Sequence, residues 1–255
     1  MRITCVWLLA LCCLGFSASC GKDQATDQLA TIKKIKVVTT VAPITSIVEN
    51  VVGDKVEVVG IIPEGVNSHT FEPIPSDSKL LASADLIILN GLDLETPTLK
   101  LARANLKPGA SIYTLGNKTV KETEYIYDFS FPKEQGHPNP HLWLNPEYAM
   151  RYATLVRDEL AQVDPKNGTA YQENTAKFLK NLESLDQAIK DGSGTIPPQN
   201  KRLLTYHDSW PYFARRYGFQ VIGAVQPSDF ADPSPKEVAR LIDQIRKEKV
   251  PAVFG

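Results

Sequence analysis

The stretch Asp85-Leu86-Ile87-Ile88-Leu89-Asn90 is apolar without interruption between its two polar ends. A strand with one solvated face alternates apolar and polar residues, so a continuous apolar run predicts a strand that is buried on both faces. Such strands are typical of parallel sheets that carry helices on each side. The run therefore predicts an α/β fold.

Strand and helix patterns alternate on both sides of this run. The predicted strands cover residues 35–41, 56–62, 85–90, 111–115, 202–206, 219–225 and 252–254, and the predicted helices cover residues 44–52, 77–83, 96–105, 147–163, 209–217 and 235–247. A longer helix is predicted from Lys166 to Asp191, where Gly192-Ser193-Gly194 ends it. A helix of about 25 residues spans nearly 40 Å, which is enough to join two lobes.

The first 20 residues have the pattern of a secretory signal, with Arg2, an apolar run and small residues before Cys20. Cys20 resembles the lipid-acceptor cysteine of bacterial lipoproteins, although Ser17 stands where such signals usually have leucine. A cleaved signal without a lipid and an uncleaved anchor are the alternatives. All the cysteines lie in this leader (Cys5, Cys12, Cys13 and Cys20), so the mature chain has neither a disulfide nor a thiolate metal site.

Three histidines lie in loops of similar character. His69 and His207 each follow an apolar strand pattern, and His141 lies in a stiff proline-rich loop. In open α/β sheets, binding residues collect beyond the carboxyl ends of strands, so the pattern suggests one shared site. Neutral imidazoles are common Zn²⁺ ligands, but a histidine beside an aromatic residue is also a common structural residue. Spacing alone leaves these two readings open.

Three motifs carry a family resemblance. The segments His69-Thr-Phe-Glu-Pro-Ile-Pro-Ser-Asp, Asn139-Pro-His-Leu-Trp-Leu-Asn-Pro and Tyr206-His-Asp-Ser-Trp-Pro-Tyr-Phe-Ala-Arg-Arg-Tyr-Gly closely resemble the zinc- and manganese-binding solute-binding proteins of ABC transporters, the cluster A-I lipoproteins. The resemblance extends from about Ile35 to Gly255. It implies two α/β lobes with parallel sheets flanked by helices, joined by one long rigid helix, with the metal between the lobes.

The resemblance also implies a ligand set. His69, His141 and His207 match the first three ligands of the family, and a histidine at the third position favours Zn²⁺ with Mn²⁺ as the second choice. The fourth family ligand is an aspartate beyond Gly255; a water, Glu72 or Asp208 are the alternatives. His137 is either an auxiliary metal contact or a solvated loop residue.

Asp208 has two further candidate roles. It either orients an imidazole of the site or caps the helix that is predicted to begin at Ser209. Both roles are ordinary for an aspartate next to a candidate ligand and just before a helix. The sequence leaves this choice open.

These observations predict that the chain has five segments. They are a lipoprotein signal peptide (1–20), a polar tether (21–33), an N-terminal α/β lobe (34–165), a linker helix (166–191) and a C-terminal α/β lobe (192–255). The last lobe contains only about three strand patterns, so we expect it to be incomplete, with the second sheet continuing past Gly255.

The predicted function is that of an extracytoplasmic solute-binding protein, not an enzyme. We expect a monomer, held at the membrane by a lipid on Cys20, that captures Zn²⁺ or Mn²⁺ and delivers it to an ABC permease and its ATPase. A net charge of −1 gives no reason to expect a nucleic acid partner. The alternatives are a secreted zinc-dependent hydrolase, for which no His-Glu-x-x-His element is present, and an adhesin on the same scaffold.

Overall fold

The computed structural model describes residues 34–226, 230 and 232–254. The predicted signal peptide (1–20), the tether (21–33) and the predicted lipid acceptor Cys20 lie outside the described residues. Among the helices in the described ranges, none combines the length and the apolar composition needed to cross a bilayer.

The first sheet has four parallel strands in the order β2-β1-β3-β4. These are β1 (Lys36–Thr39), β2 (Glu57–Gly60), β3 (Leu86–Leu89) and β4 (Ser111–Thr114). Val38 of β1 pairs with Val59 and with Ile87, which places the apolar run of β3 in the middle of the sheet. All four residues of β3 are buried, as a strand covered on both faces must be.

Five helices accompany this sheet, and we call the sheet with these helices the first lobe. They are α1 (Ala42–Val52), α2 (Pro75–Ser83), α3 (Thr96–Asn105), α4 (Leu115–Thr119) and α5 (Pro146–Val163). Except in α4, a proline lies at the first or second position of each helix. The fixed φ and the missing N–H of proline suit the first turn of a helix. The short helix α4 is absent from the sequence-based prediction, which ended β4 at Leu115.

The long helix α6 (Gly168–Gly194) follows a short 3-10 turn at Pro165–Asn167. The predicted bounds of 166–191 were wrong at the C-terminal end, because Gly192 and Gly194 do not adopt the left-handed backbone that ends a helix. Gly192, Ser193 and Gly194 are instead the last three residues of the helix, and Ser193 among them is buried. With 27 residues, α6 is about 40 Å long.

The second sheet has three parallel strands in the order β6-β5-β7. These are β5 (Arg202–Thr205), β6 (Gln220–Ala224) and β7 (Val253–Phe254), and they are accompanied by α7 (Pro211–Tyr217) and α8 (Pro235–Glu248). We call these elements the second lobe. Two parallel sheets flanked by helices, separated along the chain by one long helix, confirm the predicted fold class. The continuation of the second sheet past Gly255 stays a prediction.

Candidate metal centre

The structure brings together the three histidines that the motifs singled out. His69 lies in the loop between β2 and α2, His141 in the loop that precedes α5, and His207 directly after β5. The Nε2 atoms of His69 and His141 are 3.2 Å apart, and the Nε2 atom of His207 lies 3.1 Å from each of them. The three nitrogens therefore form a nearly equilateral triangle.

The loop of His141 is fixed to the first lobe by a buried polar cluster. Asn90, directly after β3, donates from its amide to the Pro140 carbonyl at 3.1 Å and accepts from the Tyr152 hydroxyl at 2.7 Å. The buried carboxylate of Glu95 accepts from the backbone N–H of Asn90 and from the hydroxyl of Thr40. Because this cluster lies at the carboxyl ends of β1 and β3, it places His141 at the same edge of the sheet as the His69 loop.

The hydrogen bonds of Asn139 determine the tautomer of His141. The Asn139 Oδ1 accepts from the His141 backbone N–H at 3.1 Å, and the Nδ2 donates to the Asp208 carbonyl oxygen at 2.7 Å, so the orientation of the amide is settled by two backbone groups. The Nδ1 of His141, 2.8 Å from the same Oδ1, must then carry a proton and donate it. Its Nε2 is left with a free lone pair, which is the form that binds a metal.

The hydrogen bonds of Gln226 determine the tautomer of His207 in the same way. The Nε2 of Gln226 donates to the Phe230 carbonyl oxygen at 2.6 Å, which leaves its Oε1 to accept a proton from the Nδ1 of His207 at 2.9 Å. The Nε2 of His207 consequently presents a lone pair to the centre of the triangle. Sequence reasoning missed both amides: Asn139 could have been found because it lies two residues before His141, whereas Gln226 gave no local signal.

His69 is held differently. Its backbone N–H donates to the Asn67 side chain at 3.0 Å, and its ring stacks on Phe230 with centroids 4.2 Å apart and an angle of 8° between the planes. Phe131 also packs on this histidine, with ring centroids 5.5 Å apart, and it contacts Phe230 at 5.7 Å. Within the described ranges of the chain, no group accepts a hydrogen bond from the Nδ1 of His69.

Burial keeps all three imidazoles neutral. It lowers the pKa of His69 to about 3, with a smaller contribution from the neighbouring charge of protonated His207. Burial is also the main cause that holds the pKa of His141 well below its usual value, and it lowers the pKa of His207 although Gln226 and Asp208 oppose the shift. Neutral imidazoles at physiological pH are ready to coordinate a cation.

The geometry of the triangle suits a small divalent cation. In a tetrahedral zinc site with Zn–N bonds of about 2.0–2.1 Å, neighbouring nitrogens lie about 3.3–3.4 Å apart. The Nε2 separations of 3.1–3.2 Å come close to this spacing. Two of the three nitrogens present lone pairs to one another, an arrangement that a cation at the centre would stabilise.

No carboxylate of the described residues joins the three histidines. Neither Glu72 nor Asp208, the acidic alternatives for a fourth ligand, lies in this cluster. Asp208 is fully buried, but its Oδ2 accepts from the Ser130 N–H at 3.0 Å and the carboxylate is not part of the cluster. It does not cap α7 either, since that helix begins after Trp210 without a side-chain cap.

Asp208 instead faces a second buried carboxyl group, which sequence reasoning missed. Burial, followed by the charge of Asp208, raises the pKa of Asp128 to about 8. The Oδ2 of Asp128 accepts from the Asn139 amide at 2.8 Å. Asp208 does not orient an imidazole, because the amides of Asn139 and Gln226 occupy the positions beside the Nδ1 atoms of His141 and His207.

His137 lies outside the cluster. Its Nδ1 is 2.9 Å from the Oδ2 of Asp93, and 60% of its side chain is exposed. This placement agrees with a solvated loop histidine. The cleft beside the cluster has a volume of about 540 Å³, and Trp143, Tyr206 and Trp210 are among the residues that line it.

Comparisons with known proteins point to one family. The family model described as ZnuA, zinc-uptake complex component A periplasmic, matches residues 37–255. The manganese ABC transporter substrate-binding lipoprotein PsaA of Streptococcus pneumoniae is 32% identical, and the match covers 99% of this chain and 81% of PsaA. The metal ABC transporter substrate-binding lipoprotein SsaB of Streptococcus sanguinis is 31% identical over 252 residues, which cover 97% of this chain and 78% of SsaB.

Solved structures agree with the sequence comparisons. The periplasmic zinc-binding protein TroA from Treponema pallidum superposes with a TM-score of 0.76 at 26% identity, covering 87% of this chain and 78% of TroA. A crystal structure of ZnuA gives a TM-score of 0.74 at 28% identity, covering 85% of this chain and 80% of that chain.

Proposed function

The chain belongs to the family of ZnuA, the periplasmic component A of zinc-uptake complexes, and from this premise we propose that it captures a divalent metal ion for an ABC transporter. The observation that carries the proposal is the triangle of Nε2 atoms from His69, His141 and His207. Each side chain is neutral and comes from a separate loop. The metal is the cargo of the protein, and these three nitrogens hold it.

Zn²⁺ is the proposed physiological cargo. Imidazole nitrogens suit zinc, whereas manganese favours a set that is richer in oxygen ligands. No carboxylate of the described residues joins the cluster, which supports zinc. Relatives named for manganese and for zinc both occur, so the choice depends on the donor atoms of this chain and not on the family.

Delivery to a membrane permease with its ATPase follows from the family role. We propose that a lipid on Cys20 holds the chain at the extracytoplasmic side of the membrane, as the word lipoprotein in the names of PsaA and SsaB describes for those proteins. We further propose that it acts as a monomer. A hydrolase would need a general base next to a metal-bound water, and the absence of a carboxylate from the cluster in the described residues favours capture over catalysis.

Competitive metal binding tests the proposal. The purified chain is stripped of metal, dialysed against equimolar Zn²⁺ and Mn²⁺, and analysed for bound elements. We expect about one zinc per wild-type chain, and loss of that zinc in His141→Ala because two imidazoles bind far more weakly than three.

The matched control is His137→Ala, which removes an exposed histidine outside the cluster. It is expected to bind zinc like the wild type. Equal zinc in wild type and His141→Ala would contradict the proposed site, and a preference for manganese in the wild type would contradict zinc as the cargo.

A further inference from the structure

One buried side chain connects the segments that carry two of the three histidines. Asn139 is fully buried and makes four side-chain hydrogen bonds. Its Oδ1 accepts from the backbone N–H and from the Nδ1 of His141, at 3.1 and 2.8 Å. Its Nδ2 donates to the carbonyl oxygen of Asp208, the residue after His207, at 2.7 Å, and to Asp128 at 2.8 Å.

The backbone of Asn139 adds to this connection. Its N–H donates to the Ile126 carbonyl at 2.9 Å, and its carbonyl oxygen accepts from the Tyr212 hydroxyl at 3.0 Å. That hydroxyl in turn accepts from the Ile126 N–H at 3.3 Å. Tyr212 belongs to α7 of the second lobe. The Asn139 carbonyl therefore bonds to the second lobe directly, and the Asn139 N–H is connected to it through Ile126.

None of these bonds involves a metal ion. They are made entirely by protein groups that are buried or half-buried, where each hydrogen bond is costly to leave unmade. The distance and orientation between His141 and His207 are therefore fixed by the fold before any metal arrives. Ser130 strengthens the arrangement, because its N–H donates to the Asp208 carboxylate at 3.0 Å.

His69 has no comparable support. Its segment is fixed by a local turn, through the bond from its own N–H to Asn67, and by ring stacking. Among the described residues, none accepts a hydrogen bond from its Nδ1. The three histidines thus divide into a supported pair and a third residue with a freer imidazole.

We infer that Asn139 is the positioning residue of the metal centre: it fixes the Nδ1–H tautomer of His141 and joins this histidine to His207 as a preset pair that His69 completes. This inference rests on the proposed function, because it assigns how two of the proposed ligands are prepared for the ion. Asn139 itself does not touch the ion. It acts through the imidazole of His141 and the backbone beside His207.

The tautomer can be measured without any metal. Long-range proton–nitrogen correlation spectra of the ¹⁵N-labelled, metal-free chain at pH 7.5 distinguish Nδ1–H from Nε2–H imidazoles, and single histidine substitutions assign the signals. We expect His141 and His207 to populate the Nδ1–H form alone, while His69 shows a mixture of tautomers. A wild-type His141 that carries its proton on Nε2 would overturn the inference without any variant.

Asn139→Ala provides the second measurement, with Asn145→Ala as the matched control. Asn145 lies in the same loop and is also buried, but its side chain caps α5 by accepting from the Glu147 N–H. In Asn139→Ala we expect His141 to become a mixture of tautomers while His207 keeps its proton on Nδ1 through Gln226. In Asn145→Ala both are expected to remain as in the wild type. An unchanged His141 in folded Asn139→Ala would overturn the inference.

Zinc affinity separates the inference from the proposed function. Removing a group that orients a metal ligand typically costs 10–100-fold in affinity, so we expect a loss of about that size in Asn139→Ala and none in Asn145→Ala. Wild-type affinity in Asn139→Ala would overturn the positioning role alone, whereas a wild type that binds no zinc would overturn the proposed function and leave the tautomer result standing.

Discussion

The two lobes differ in how much core each has of its own. In the first lobe, every residue of β3 is at most 1% exposed, and α1 contributes five buried residues. In the second lobe, Val253 and Phe254 of β7 are 52% and 45% exposed, and α8 has no buried residue. The first lobe is therefore stabilised by its own apolar interior, and the described part of the second lobe much less so.

Contacts with α5, α6 and the His141 loop hold the second lobe in place. Tyr212 is the one second-lobe residue, among those described, that is buried in the main hydrophobic cluster. Arg216 of α7 makes a bidentate ion pair with Asp186 of α6 through bonds of 2.6 and 2.7 Å, and it also binds Glu147 of α5. The position of His207 thus depends on these contacts and on the bonds of Asn139, while the position of His141 depends on the core of the first lobe.

The largest expected effect is a difference between two apolar truncations. Ile87→Ala in β3 removes fully buried side-chain atoms and should lower the free energy of unfolding by about 2–5 kcal/mol. Val253→Ala in β7 removes atoms that are mostly in water and should change it by less than about 0.5 kcal/mol. Urea unfolding followed by circular dichroism measures both values. Equal losses would show that the two lobes do not differ in this way.

The next effect concerns the ion pair between α6 and α7. Asp186→Asn should lower the free energy of unfolding by about 2–3 kcal/mol, because it removes the bidentate carboxylate partner of the half-buried Arg216 and leaves that guanidinium with Glu147. The hydrogen bond from Arg216 holds the pKa of Asp186 well below its unfolded value of about 3.9. This contribution is therefore complete above that pH and is lost as the pH falls below about 4.

Asp191→Asn is the control for this prediction, because Asp191 is an exposed residue of the same helix whose side chain, among the residues that the structure describes, accepts only from Gln187. It should change stability by less than about 0.5 kcal/mol. The wild type and Asp191→Asn should lose stability in parallel from pH 5 to pH 2, and Asp186→Asn should lose less. Identical pH profiles for all three chains would contradict a stabilising role of the ion pair.

Local sequence signals predicted most of the fold. The apolar run of β3 and the alternation of strand and helix patterns located most strands and helices to within a few residues, because burial on both faces and helical spacing leave direct marks in the sequence. The bounds of α3 were predicted without error. The motifs likewise singled out the three histidines that the structure brings together.

The errors concern a helix end and the hydrogen-bond partners of side chains. Gly192 and Gly194 looked like a helix end, but both lie within α6, where Ser193 between them is buried. Asp208 looked like an imidazole partner or a cap, yet its role depends on Asp128 and Ser130, which are remote in sequence. Gln226 is 19 residues from His207 and became visible only when β5 and β6 were paired. Such partners follow from tertiary structure and leave no periodic pattern.

Two helix caps test the same difference between the lobes with a smaller expected change in stability. Ser234 caps α8 of the second lobe and Asn145 caps α5 of the first lobe, and replacing either with alanine should cost about 1 kcal/mol. Because α8 has no buried residue, Ser234→Ala should speed amide exchange within α8 and leave the global unfolding midpoint unchanged. Asn145→Ala should lower the global midpoint. A lower global midpoint in Ser234→Ala would mean that α8 unfolds together with the core.

The smallest expected effect is the change of zinc affinity with pH, and it tests whether the second lobe covers the site. Three solvated imidazoles with a pKa near 6.5 would lose about a thousandfold in affinity between pH 7.5 and pH 5.5, because each must shed a proton to bind. Burial between the lobes lowers the pKa of all three histidines, so protons compete only at lower pH. We expect a loss of less than about tenfold over this range.

Competition with a zinc-sensitive dye at fixed ionic strength measures this affinity at each pH, and His137→Ala serves as the control, since its exposed imidazole takes no part in the site. A loss near a thousandfold would mean that water reaches the imidazoles and that the second lobe does not remain closed over them. A nearly flat profile would mean that the contacts of Asn139, Tyr212 and Arg216 are sufficient to keep the described part of the second lobe over the metal centre.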